Sequence, residues 1–383
     1  MTLEFLWAAY LGASFVTLYL LNLGLSQTQV FGLQAIITVV MIVTDLPLGY
    51  IADRFGVRRV IIAGTVVQVI QSVFFVACTT FWQFAISYVL YGLFLSALSN
   101  TTATIMTRSV AAIDDDVVRS QTYSAYEKHR IDIRNLGFLV SAVIGGGLVA
   151  MGTIVWPFWV QPIIFGAGVI ASLGLTRLPK KVGEQKKRPS LVKVVHTMLN
   201  NRPNVRNVIL LSTIVQMTGY AGLWLFQPRM LLTGMPVWSF ALVYFGRSAL
   251  TIALRKADFP KRVSATAMWL CLWLCMPIGV LAAAFTTGYG GLIVLVAAHA
   301  FLSASYEVMT RTYLNKVLPD DYSTRTTELS VVTTSASLSF VLIGPMAGWV
   351  KDTYSLSAAF VMIAAVGLCL GAPVFWAFRR YAR

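Results

Sequence analysis

The sequence predicts an all-α polytopic membrane protein, with twelve transmembrane helices in two six-helix pseudo-repeat bundles. Three observations predict it. Of 383 residues, 57% are hydrophobic and only 12% charged, with a mean hydropathy of +0.73; a soluble chain carries about 25% charged residues. Apolar runs of about 20 residues, enough to cross a bilayer as a helix, recur from end to end. The basic residues gather on alternate joints between those runs. This pattern excludes an ordinary soluble enzyme and a disordered chain, and twelve spans leave no length for a soluble catalytic domain.

Spans one to six lie near residues 5–22, 28–50, 59–79, 82–106, 135–153 and 156–176. Spans seven to twelve lie near 206–227, 236–254, 264–285, 290–308, 325–349 and 357–378. The first run has neither a basic leader nor an obvious small-residue cleavage site, so it reads as a retained span rather than a signal peptide. With the N-terminus in the cytoplasm, 27 of the 30 Lys and Arg residues fall on cytoplasmic joints. Arg229 and Lys351 fall outside, and Arg247 lies within span eight. That asymmetry is the positive-inside pattern. The net charge of +15 is therefore a topology signal, with both termini cytoplasmic, and not a nucleic-acid footprint. Trp82, Trp156, Trp159, Trp238 and Trp349 fall near the opposite ends, as an aromatic belt does. Cys78, Cys271, Cys275 and Cys369 all lie inside spans with no metal-ligand spacing. They read as free thiols packed as small hydrophobes, and no metal is expected.

The longest basic joint divides the chain into an N-terminal bundle (1–176), a cytoplasmic linker (177–205) and a C-terminal bundle (206–383). In the linker, Leu191, Val194, Val195, Met198 and Leu199 recur at helical spacing, which fits either a short helix on the membrane face or a solvated linker. The halves echo each other: Asn135-Leu-Gly-Phe-Leu-Val aligns with Ser337-Leu-Ser-Phe-Val-Leu, and Gly146 then aligns with Gly348. Parallel repeats of this kind place a substrate site at their interface.

At the basic end of span two stands Asp45-Leu-Pro-Leu-Gly49-Tyr-Ile-Ala-Asp53-Arg54-Phe-Gly56-Val-Arg58-Arg59. Gly49 permits close helix approach and Gly56 a tight turn. Asp53 suits a helix N-terminus or a guanidinium, while Arg54, Arg58 and Arg59 pin the loop to the cytoplasmic face. The stretch resembles the Gly-x-x-x-Asp-Arg-x-Gly-x-Arg-Arg signature of the major facilitator superfamily. Asn315-x-x-Leu-Pro319, Arg325-Thr-Thr-Glu-Leu-Ser330 and Gly344-Pro345-x-x-Gly348 resemble that family's entry into span eleven, so the likeness covers essentially the whole chain. It implies secondary transport, closest to bacterial drug and metabolite exporters. Two departures stand out. Tyr88 occupies the place, four residues before Gly92, where drug/proton antiporters often carry Arg in span four. Gly137, Gly145 and Gly146 keep the span-five glycine spacing, but Ser141-Ala142 replace its Gly-Pro pair. The surviving small-residue face still allows spans five and eight to pack closely.

Ionisable residues inside spans cost about 2.5–3.5 kcal/mol each on insertion scales, so they mark candidate sites. Asp45, His299 and Glu307 are the proton-coupling candidates, with a structural partner for the basic loop, a helix–helix hydrogen bond and an interfacial charge as their respective alternatives. Arg247, with Tyr244, Ser248 and Thr251 at helical spacing, suits a substrate carboxylate or phosphate; its alternative is a buried ion pair. Tyr10 with Ser14 and Thr17, Tyr88 and Tyr91, Gln216, Tyr220 and Trp224, and Ser303 complete the substrate-binding candidates, unless such stripes serve only helix packing. Glu4 reads as interfacial.

The expectation is a secondary transporter of a small organic solute, anionic, zwitterionic or amphipathic, exported by proton antiport through alternating access. The proton gradient supplies the energy, no cofactor is needed, and the setting is a bacterial inner membrane with a monomeric chain. Proton-coupled uptake is the alternative. A non-transporting receptor on the same fold would call for an added signalling domain. An intramembrane enzyme would need a nucleophile–base or metal constellation, which three scattered His residues do not supply.

Overall fold

Long apolar stretches have one way to satisfy their backbone in lipid, which is to hydrogen-bond it internally as helix. The computed structural model describes residues 2–110, 116–175, 203–257, 263–317 and 322–381; some side chains within these stretches, including those of Asp53 and Glu307, fall outside the description. The described residues form α1 (Thr2–Ala8), α2 (Val16–Asn22), α3 (Gln27–Phe55), α4 (Val57–Ala77), α5 (Phe81–Val110), α6 (Asp116–Met151) and α7 (Trp156–Leu173). After the linker come α8 (Pro203–Trp224), α9 (Phe226–Leu231), a 3-10 turn (Val237–Ser239), α10 (Phe240–Lys256), α11 (Ala265–Phe285), α12 (Tyr289–Val317), α13 (Tyr322–Thr353) and α14 (Leu356–Tyr381). No strand occurs among the described residues, and nine of their helices are long and apolar enough to cross a membrane. The interfacial helix expected in the linker, at 191–199, lies outside the described residues.

Two expected spans are not single helices. Span one breaks between α1 and α2, leaving Ala9–Phe15 non-helical, and span seven breaks at Leu225 between α8 and α9. The chain forms two compact units: Met1–Leu25 with Leu33–Gly183 and Pro236–Phe245, and Ser26–Gly32 with Glu184–Met235 and Gly246–Arg383.

In the first unit, α4 packs against α5 and α7, and α1 against α6. Glycines set the close approaches. A Cβ on Gly92 would sit 2.9 Å from the Val40 side chain, one on Gly137 would sit 2.7 Å from the Phe5 carbonyl, and one on Gly145 would collide with the Leu11 carbonyl. The span-five glycine face thus lies mainly on span one, while Gly146 meets Ala241 at the start of span eight. Glu4, expected at an interface, is instead buried (7% exposed) and pairs with Arg130 at 3.4 Å. The reason is length: α6 runs 19 residues beyond the start of its expected span, down to Asp116, and carries Arg130 alongside α1. Gly56 starts α4 at φ 97°, the left-handed conformation that glycine adopts without strain. The Arg58 guanidinium donates to the last carbonyl of α7, Leu173, at 2.7 Å, a cation at a helix C-terminus. Arg54 lies over the Phe55 ring.

In the second unit, α11 packs on α12 and α14, and α8 on α13 and α14. Trp273 Nε1 donates to the Gly367 carbonyl at 2.9 Å, and its ring fills the place of a side chain at Gly371. Arg229, 3% exposed, donates to the Thr286 and Gly288 carbonyls at 2.8 and 3.0 Å and closes the C-terminus of α11. The five belt tryptophans are all exposed apart from lipid, at 43–75%. Cys78 is buried, but Cys271 and Cys369 lie on the surface of their helices, so those two thiols are not packed as expected.

The first turn of α3 is held with care. Ser26 and Gln29 form a reciprocal capping box at 2.9 and 3.2 Å. Asp352, just past the end of span eleven, accepts from the Gln27 N–H at 3.0 Å and from the Thr28 N–H and hydroxyl at 2.8 Å each. Gly348 makes room: a Cβ there would sit 2.7 Å from the Thr28 backbone. Partial burial pushes the Asp352 carboxyl upward, but the bonds from Thr28 and Gln27 and the charge of Lys351 outweigh it and hold the carboxyl below its usual value. A lowered folded value means that the cap's contribution is complete above the unfolded aspartate value of about 3.9. It is lost as pH falls through the lowered folded value. Protection factors at Gln27 and Thr28, which discount the intrinsic slowing of exchange in acid, are therefore expected to hold from pH 7 to about 5 and to fall in more acid solution. Asp352→Asn should remove that acid-dependent step, and an unchanged acid profile in the variant would assign it to another group.

Candidate functional site

Each unit holds a cluster of polar and aromatic groups inside its helix bundle. In the second unit, α10 presents Arg247, Thr251 and Arg255 at four-residue intervals, one face of a helix. Arg247 Nη1 stands 3.4 Å from His299 Nδ1 on α12, and its Nη2 donates to Ser248 Oγ at 3.3 Å. A guanidinium can only donate, so Nδ1 accepts and the ring proton belongs on Nε2. His299 in this arrangement is a neutral imidazole, since a protonated ring would set donor against donor and cation against cation. Ser303, one turn on, lies 3.2 Å from the same Nδ1. Phe226 crosses the imidazole edge-to-face at 5.5 Å, and His299 is left 6% exposed. Thr251 bonds to the Arg247 and Ala300 carbonyls, and Arg255 reaches the Ser303 carbonyl at 3.5 Å. The structure thus gathers Arg247, His299 and Ser303, named separately from the sequence, into one cluster.

On α8, Gln216 and Trp224 are half-buried and Tyr220 is 37% exposed, its ring edge-on to Phe340. They share one face of α8. Ser212 on the same stripe is fully buried and bonds back to Ile209. Glu307 lies on α12, its side chain outside the description.

In the first unit, Tyr10, Tyr88 and Tyr91 gather. Tyr10 lies 6.5 Å from both Tyr91 and Phe165, and Tyr91 stacks on Phe94 at 6.2 Å. Gln34 donates to the Tyr88 hydroxyl at 3.3 Å. Asp45 is half-buried and accepts a short hydrogen bond from Ser96 on α5. Gly49 lies one turn further on α3, followed by Asp53, whose side chain is not described, and the exposed Arg54 and Arg59.

Two of the buried amides that sequence reasoning missed bear on the site. Gln161, on α7, bonds to the backbone of the span-one break. Gln68, on α4, is 1% exposed, and neither end of its amide bonds to protein. The available signal was a polar residue on an otherwise apolar span face, which counts of charged groups overlook.

The profile of the Major Facilitator Superfamily matches residues 3–259. The chain belongs to the major facilitator superfamily. No curated protein sequence matches it. Among solved structures, the nucleoside transporter NupG superposes with a TM-score of 0.78 at 13% identity, over 99% of this chain and 97% of that one. A bacterial homologue of the human lysosomal transporter Spinster, in an inward-facing and unoccupied conformation, superposes with a TM-score of 0.73 at 15% identity, over 100% and 96%. At such identities the likeness is one of fold. Membership makes this facilitator-superfamily chain an integral multi-pass membrane protein and a secondary transporter of small molecules, not an enzyme.

Proposed function

We propose that this transporter exports a small organic anion, zwitterion or amphipathic solute in exchange for protons. It works by alternating access of twelve spans in two halves, as a monomer in a bacterial inner membrane with both termini cytoplasmic. The observation that carries the reading is the Arg247 guanidinium within span eight, held by His299 Nδ1 and Ser248 Oγ. A guanidinium has the planar donor fork that matches a carboxylate or phosphate, and here an imidazole and a hydroxyl help orient it. In this reading His299 orients Arg247, and Asp45, hydrogen-bonded to Ser96, carries the proton. Glu307 remains the other proton-coupling candidate. The Gly49–Arg59 loop stabilises one gate state.

A second reading, proton-coupled uptake of a planar polar solute, draws on the first unit. Tyr10, Tyr91 and Phe165 offer ring faces, and Tyr88 with Gln34 offers hydrogen bonds. The likeness in fold to the nucleoside transporter NupG points the same way.

Everted vesicles energised to an acid interior, then challenged with benzoate, citrate, glutamate and uridine in turn, separate the readings. Export by antiport predicts release of protons from the vesicle on addition of one of the three acids. Uridine-driven proton movement with no response to the acids favours the second reading.

A further inference from the structure

The break in span one places irregular backbone inside a membrane-spanning segment, where each unsatisfied polar group is costly. In an unbroken helix the Leu11 N–H would donate to the Trp7 carbonyl, and the Ala9 carbonyl would accept from the Ala13 N–H. Neither bond forms. The Ala13 N–H goes to the Tyr10 carbonyl at 3.1 Å. A single side chain from span six replaces both missing bonds: Gln161 Oε1 accepts from the Leu11 N–H at 2.7 Å, and its Nε2 donates to the Ala9 carbonyl at 3.1 Å. Gln161 is 1% exposed, so its amide is shielded from bulk water. A primary amide is suited to it because it carries an acceptor and a donor side by side.

Two further contacts fit the same geometry. Gly12 faces the Phe158 ring and Gly145 the Leu11 carbonyl, so closely that a Cβ on either glycine would collide. Tyr10, between the two bonded residues, carries its ring to Tyr91 and Phe165.

We propose that Gln161 is a positioning residue: it holds span one unwound at Ala9–Leu11 and thereby sets the Tyr10 ring in the first-unit aromatic cluster. This rests on the reading of Tyr10 as a solute contact, and it extends that reading to a residue that touches no solute. The bonds are to backbone, so the identity of residues 9 and 11 matters little and the amide at 161 matters a great deal. Methionine at 161 keeps the length and apolar contacts but neither bond. Glutamic acid keeps both bonds when protonated, accepting through its C=O and donating through its O–H, and only the acceptor when ionised.

The test is hydrogen–deuterium exchange of the full chain in lipid nanodiscs, read as protection factors over residues 9–15, with the α11 segment around Trp273 as the folding control. Gln161→Met is expected to lose at least tenfold of the protection at 9–15 with the control unchanged. Gln161→Glu, whose carboxyl burial at this position holds in the protonated form, is expected to keep wild-type protection at pH 5. Wild-type protection in Gln161→Met, or equal loss in both variants at pH 5, would overturn the proposal. The measurement requires no solute, so failure of the transport reading and failure of this one remain distinguishable.

Discussion

Arg247→Ala is expected to raise KM for an anionic solute by roughly 10- to 100-fold, the loss that follows from removing a charge-assisted hydrogen bond of about 1.5–3 kcal/mol. The charge alone is not enough. Lysine offers a point charge without the planar fork, so Arg247→Lys should recover only part of the affinity. His299→Asn provides a sharper check. Nδ1 accepts from Arg247 at 3.4 Å, and an asparagine oxygen can take over that acceptor role without titrating. If His299 orients the guanidinium, this variant should retain transport with a modest rise in KM and an unaltered pH profile. Complete loss of proton coupling in His299→Asn would return the imidazole to the proton path. The readout is initial-rate transport of benzoate, citrate and glutamate in proteoliposomes, with expression and thermal unfolding as folding controls. An unchanged KM for every transported acid in Arg247→Ala would reject the anion role.

Asp45→Asn is expected to abolish solute accumulation driven by a pH gradient while sparing solute-for-solute exchange at equal pH. Asparagine still accepts from Ser96, so that α3–α5 contact persists while the titrating carboxyl is removed. Exchange that survives without accumulation is the signature of an uncoupled carrier. Normal gradient-driven accumulation in the variant would remove Asp45 from the coupling path, leaving Glu307 as the next residue to examine. Loss of both activities in a folded protein would make Asp45 part of the gate instead, as its position one turn before Gly49 allows.

The all-helical membrane-spanning fold and the family were legible in the sequence because they rest on additive or contiguous signals: apolar length is a sum over each segment, and the Gly49–Arg59 stretch is continuous. Gly56 was expected to turn and does so at φ 97°. Pairing across the bundle was less legible. Arg247, His299 and Ser303 were each visible as polar groups in apolar spans, but nothing in sequence spacing joins residues on α10 to residues on α12. Glu4 looked interfacial because its partner, Arg130, lies 126 positions away on a helix that extends past its span. The break in span one was invisible for the same reason. Residues 5–22 have the composition of an ordinary span, with Gly12 the only local hint, and the amide that makes the break tolerable stands 150 positions downstream.

That separation has a consequence in biosynthetic time. Ribosomes add about 5–20 residues per second, so Leu11 is made roughly 7 to 30 seconds before Gln161 exists. During that interval nothing can replace the Trp7 and Ala13 bonds, and bare backbone in lipid is forbidding. The nascent segment therefore enters the bilayer as a continuous helix and unwinds only when span six arrives. The mature shape of span one is a late event in assembly, and a chain truncated before residue 161 should show full helical protection across residues 9–15.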